Sequence, residues 1–194
     1  MNNDFDLYIT WDWNCEYCIV NTHNNPKIHN DDLIKSCNNI PEKSVVKIIG
    51  GEPGMASKNT LEMIFNILDK KNCTYTLATN GLFLKRYPEY VSKFSAILYH
   101  CSENLLEHDF ERYENIDYQI TVTDNNLCNL EDFLASNKDL IFNLFAASRS
   151  PIPVKGNTLS KKNAIKILMK YRKQLTKECI KSILGRCGSM AEVA

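Results

Sequence analysis

Ser44-Val45-Val46-Lys47-Ile48-Ile49-Gly50-Gly51-Glu52-Pro53 is the stretch on which the fold turns. A run rich in valine and isoleucine leads straight into two glycines, which reads as a buried strand ending in a tight loop. The loop carries a carboxylate, Glu52, and Pro53 stiffens it. Glycines there let a ligand approach the backbone closely. Exposed carbonyls and Glu52 can accept hydrogen bonds from an ammonium group. The plainer alternative at this point is a strand-to-helix turn with no ligand.

Outward from that stretch, strand and helix signals alternate. Residues 7–11 form a short β-favouring run, and residues 31–37 start a helical pattern with Asn30 as its cap. Downstream, residues 60–70 put Leu61, Ile64, Phe65 and Leu68 on one helical face. Residues 73–78 read as a strand closing at Thr79-Asn80-Gly81, and residues 87–93 as a short helix. Strands are expected at 95–99, 116–122 and 140–146, with a helix at 127–136 between the last two. The strongest helix covers 160–175. Repeated strand–helix units favour a parallel sheet, because parallel neighbours need a crossover. Six units are too few for an eightfold barrel, so the expected class is α/β, a partial (β/α)6 TIM-like barrel with mostly parallel strands. In such folds ligands gather at the carboxyl ends of the strands. Cys15 and Cys18, Gly50 to Pro53, Asn80-Gly81, His100 and Ser102, and Ser148-Arg149 each follow a strand and share that rim. The expected division is a barrel over residues 1–150, then a linker and helical tail over 151–194.

Composition narrows the function. Lys plus Arg and Asp plus Glu are both 23, so net charge gives no pull toward nucleic acid or an acidic membrane. The basic stretch 161–181 reads as the solvated face of an amphipathic helix, or more sharply as a contact for an acidic partner or a nucleotide. No apolar run is long enough to span a membrane, and the start Met1-Asn2-Asn3-Asp4 has no signal-peptide character, which points to the cytoplasm. In that reducing compartment the eight cysteines are not expected to form disulfides. Cys37, Cys73, Cys101 and Cys128 sit singly in apolar runs, as buried hydrophobes do.

Only Cys15 and Cys18 are spaced like ligands, within Thr10-Trp11-Asp12-Trp13-Asn14-Cys15-Glu16-Tyr17-Cys18. Two thiolates at this spacing can grip one metal centre from one side. Taken alone, the pair also suits a zinc half-site, with His23 or His29 as further ligand, or a redox dithiol. Asn24-Asn25-Pro26 breaks the helix that a redox dithiol usually opens.

Three motifs, each after one of the first three strands, together resemble the radical S-adenosylmethionine superfamily: Cys15, Tyr17 and Cys18; Gly50-Gly51-Glu52-Pro53; and Thr79-Asn80-Gly81. The resemblance spans residues 5–148. It implies a partial barrel, a [4Fe–4S] cluster, and S-adenosylmethionine bound to the cluster through its amino and carboxylate groups. One electron would cleave the sulfonium to a 5′-deoxyadenosyl radical, which takes hydrogen from a peptide or nucleotide-like substrate. The resemblance also implies that Gly50, Gly51, Glu52 and Pro53 receive the methionyl ammonium, that Asn80, His100 and Ser102 lie near the ribose or carboxylate, and that Cys15 and Cys18 bind metal. A flavodoxin or ferredoxin would donate the electron.

The chain departs from the pattern at its first cysteine, where Trp11 stands. Asp12 is the nearest substitute ligand, followed by Cys187 and His23, and Cys179 could, like Cys187, fold back from the tail. Trp11 and Trp13 then serve to shield a cluster or to pack a core. Two other readings follow: a degenerate member that binds S-adenosylmethionine or a partner without radical chemistry, and a zinc-stabilised α/β binding module.

Overall fold

A computed structural model describes residues 4–9, 28–100, 115–122, 124, 127–136, 143–146, 159–177 and 180–181. The chain divides into two compact units, the first carrying β1 to β4 and the second β5 onward. The boundary expected at residue 150 falls inside the second unit.

In the first unit β1 (Asp4–Tyr8), β2 (Val45–Ile49), β3 (Thr74–Thr79) and β4 (Phe94–His100) pair in parallel, in chain order. The parallel pairing is what the strand–helix alternation implied. Helices α1 (Asn30–Asn39), α2 (Lys58–Lys70) and α3 (Leu82–Arg86) fill the crossovers. Two 3-10 turns, Pro53–Met55 and Pro88–Lys93, complete them. Alternation along the strands sets the core. Val46, Ile48, Tyr75, Leu77 and Ile97 are buried on one face with Leu61, Ile64, Phe65 and Leu68 of α2 and Leu33 and Cys37 of α1. Lys47, Thr76, Ala78 and Ala96 alternate with them and are half-buried. Burial pushes the Cys37 thiol up to about 11.

Local chemistry explains the element ends. Ser57 caps α2 by accepting from the Thr60 amide at 3.1 Å. The cap of α1 is His29 rather than Asn30, whose Oδ1 instead accepts from the Thr60 hydroxyl at 3.2 Å. Lys71 donates to the carbonyls of Asn38 and Ile40, both at 2.6 Å, placing a cation over the end of α1. Strand β1 begins three residues earlier than expected (residue 4 against 7), because Asp4 and Asp6 are exposed on it and interrupt the apolar signal.

Asp69 accepts from the Tyr75 hydroxyl and, at 2.9 Å, from Lys93. Burial opposes its ionisation, but those two donors outweigh it and hold the carboxyl below its ordinary range. A depressed carboxyl stabilises the fold above the unfolded value of about pH 4, and that stability is lost as pH falls through the folded value. Asp69 is exposed overall, so solvent screens these contacts, and Asp69→Asn is expected to cost only about 0.5 kcal/mol near neutrality. The deficit should shrink on acidification in urea unfolding run across pH; a deficit independent of pH would rule the account out.

In the second unit β5 (Ile116–Val122) pairs in parallel with β6 (Asn143–Ala146), with α4 (Leu127–Ser136) between them in sequence. Helix α5 (Lys161–Tyr171) is tied to α4 by Lys166 on Glu131 at 3.0 Å and by the Tyr171 hydroxyl on the Glu131 carbonyl. Asp124 accepts from the Ser160 amide and the Asn163 side chain, both at 2.9 Å, and so anchors the start of α5.

Candidate functional site

The glycine loop after β2 and the Thr-Asn-Gly loop after β3 leave neighbouring parallel strands at the same edge. One side chain joins them. Glu52 turns inward from the first loop and accepts four hydrogen bonds: from Gly54 N at 2.8 Å, Thr79 Oγ1 at 2.7 Å, Asn80 N at 2.7 Å and Phe83 N at 3.2 Å. Burial pushes its carboxyl upward, and those four donors pull against the rise.

Around this carboxylate the loops are packed backbone to backbone. A Cβ on Gly54 would stand 2.5 Å from Phe83 N and 2.7 Å from Leu82 C, so only glycine lets the start of α3 come this close. Arg86, at the other end of α3, donates to the Gly54 carbonyl at 2.7 Å while its guanidinium lies over the Tyr87 ring. The Tyr87 hydroxyl donates to the Ala56 carbonyl at 2.6 Å. Gly81 takes φ 103°, and a Cβ there would meet the Tyr99 hydroxyl at 2.5 Å.

Asn80 turns its Oδ1 onto the Leu82 amide at 3.0 Å, in the manner of an Asx turn. That bond fixes the side-chain amide with its NH2 as the group left to donate. Gly50 and Gly51 are half-buried at the strand end. Strand β1 delivers the chain to the same edge: Tyr8 pairs with Ile49, and the Ile9 amide donates to the Ile49 carbonyl at 2.9 Å. Ile9 is the last described residue before the cysteine motif.

The expected site residues thus fall into three groups. Gly50, Gly51, Glu52, Pro53 and Asn80 are brought together. His100 ends β4 and falls in the second unit, and burial lowers the pKa of its imidazole. Asp12, Cys15, Cys18 and Ser102 lie outside the described residues, as do Trp11, Trp13, His23, Cys179 and Cys187. Among the described residues no three His, Cys, Asp or Glu side chains form a metal-binding group. Gly54, Arg86 and Tyr87 were not foreseen from sequence. The available signal was a further glycine directly after Pro53, where any side chain would block the approach of another element.

No protein-family model matches the chain, and no curated protein matches it significantly. Solved structures do. The AdoMet-bound form of anSMEcpe superposes with a TM-score of 0.63 at 15% identity, over 89% of this chain and 60% of that one. A second anSMEcpe structure, with AdoMet and the Cp18Cys peptide, gives 0.57 at 13% identity, over 89% and 58%. SuiB of Streptococcus suis gives 0.50 at 18% identity, over 95% and 47%. This is the radical S-adenosylmethionine fold. The α/β partial barrel expected from sequence is therefore the one observed. The chain spans about three-fifths of the anSMEcpe chain and about half of SuiB. Within the radical S-adenosylmethionine fold, the two loops locked by Glu52 occupy the carboxyl edge of the strands, where α/β folds of this kind bind ligands. No helix among the described residues is long and apolar enough to cross a membrane.

Proposed function

We propose that this chain binds S-adenosylmethionine at the carboxyl edge of β1 to β3 and serves radical chemistry on a peptide or nucleotide-like substrate. The observation that carries the reading is the joining of the Gly50–Gly51 loop to the Thr79–Gly81 loop through Glu52, beside the end of the strand that leads to Cys15 and Cys18. The rim suits the ligand. Two residues without side chains leave the backbone approachable, and the Asn80 amide has its NH2 available for a carboxylate or a ribose hydroxyl. The donor set suits a cluster in part: Cys15 and Cys18 would supply two thiolates and Asp12 a harder carboxylate, with Trp11 at the position where a third thiolate is usual. When bound, the cluster would supply the electron that cleaves S-adenosylmethionine to a 5′-deoxyadenosyl radical. The protein's own part is to orient the cofactor and keep water from it. A soluble electron carrier, a flavodoxin or ferredoxin, would be the reductant. The peptide seen with anSMEcpe favours a peptide substrate over a nucleotide.

Trp11 favours one second reading, a chain that keeps the S-adenosylmethionine pocket without radical chemistry. Iron and sulfide analysis of the anaerobically purified chain, with calorimetric titration of S-adenosylmethionine, separates the two. Cys15→Ala or Cys18→Ala is expected to abolish iron retention, and iron content equal to wild type in either variant would remove that residue as a ligand. A colourless, iron-free chain that binds S-adenosylmethionine establishes the second reading. Zinc in place of iron would establish a structural metal module instead.

A further inference from the structure

We infer that Glu52 is a positioning residue: its carboxylate locks the diglycine loop, the Thr-Asn-Gly loop and the first turn of α3 into one piece, and does not itself meet the ligand's ammonium. This rests on the S-adenosylmethionine reading above and revises the role that the motif alone gave to Glu52.

The argument begins with burial. Glu52 is 1% exposed, so a ligand arriving at the rim finds no carboxylate surface to touch. Occupancy is the second point. Oε1 already accepts from Gly54 N, Thr79 Oγ1 and Phe83 N, and Oε2 accepts from Asn80 N. A carboxylate offers about four lone-pair sites in all. With the carboxylate buried, an ammonium could reach it only by parting the loops, and each donor displaced on the way would be left buried without a partner, a cost comparable to what the new bond would gain. The third point is where the donors come from. Three are main-chain amides, on the 3-10 turn, the β3 loop and α3, and the fourth is the hydroxyl of Thr79. Thr79 also accepts from Gly81 N at 3.0 Å, which carries the lock one residue further along the rim. The backbone at Gly50–Gly51 and the amide of Asn80 therefore take their places from Glu52.

Glutamine cannot substitute. Its amide NH2 would replace one acceptor oxygen and face an N–H or the Thr79 hydroxyl, donor against donor. Thr79→Val removes one donor at nearly constant shape, and Thr79→Ser keeps the hydroxyl. The test uses the full chain and two readouts: amide hydrogen exchange at Gly54, Asn80 and Phe83 by NMR, and S-adenosylmethionine affinity by calorimetry. Glu52→Gln and Thr79→Val are expected to speed exchange at all three amides together and to weaken the ligand by about tenfold. Thr79→Ser should leave both as in wild type. Weakened binding with the three amides still protected would mean direct contact and overturn the inference; so would opened amides with unchanged affinity. Thr79→Val carries the test alone if Glu52→Gln does not fold. A wild-type chain that binds no S-adenosylmethionine fails in a different way, by removing the ligand on which the inference rests.

Discussion

Gly54→Ala is expected to destabilise the chain by about 3 kcal/mol, the upper end of what one added methyl costs in a packed interior. The methyl would stand 2.5 Å from the Phe83 nitrogen and 2.7 Å from the Leu82 carbonyl carbon. Both are backbone atoms and cannot swing aside as a side-chain tip can. Helix α3 would have to lift, which stretches the bonds from Phe83 N to Glu52 and from Arg86 to the Gly54 carbonyl. Arg86→Ala removes only the second of these and should cost about 1 kcal/mol. Urea unfolding of both variants checks the order. An alanine variant at position 54 as stable as wild type would show that the two loops are not held this tightly.

Trp11→Cys is expected to raise iron severalfold after anaerobic reconstitution, toward about four per chain. The change restores the third thiolate of the C-x-x-x-C-x-x-C pattern, and thiolate is a softer, better match to cluster iron than carboxylate or indole. Asp12→Ala sharpens the result. It should lower iron in the natural sequence if Asp12 fills the gap, and should do nothing once Cys stands at position 11. Elemental analysis of the four proteins reads both effects. No gain from the cysteine would mean that the segment no longer builds a cluster of the family type.

Much of the architecture could be read directly from the chain because alternation and helical spacing are local signals. The bounds of β5 and α4 agree with the pattern residue for residue, and Cys37 and Cys73 are buried as apolar-run cysteines should be. Helix α3 was missed for a physical reason. It is five residues long, too short to show a period, and its first turn is held by Glu52, a partner 31 residues away in sequence. The same non-locality hid the role of Glu52. The motif marks a carboxylate at the strand edge, but which way it turns depends on Thr79, Asn80 and Phe83, whose arrival beside it is a property of the packed sheet. Lys71 is another case, since nothing in its own neighbourhood announces that it will cover the end of α1.

Cys37 offers a practical handle. A thiol titrating near 11 is ionised in only about one molecule in ten thousand at neutral pH, and the folded core shields even that fraction from reagents. Alkylation of the native chain should pass it by, so its labelling serves as an internal clock for global opening. Mass spectrometry of the tagged peptides would then tell a variant that has lost its metal from one that has lost its fold.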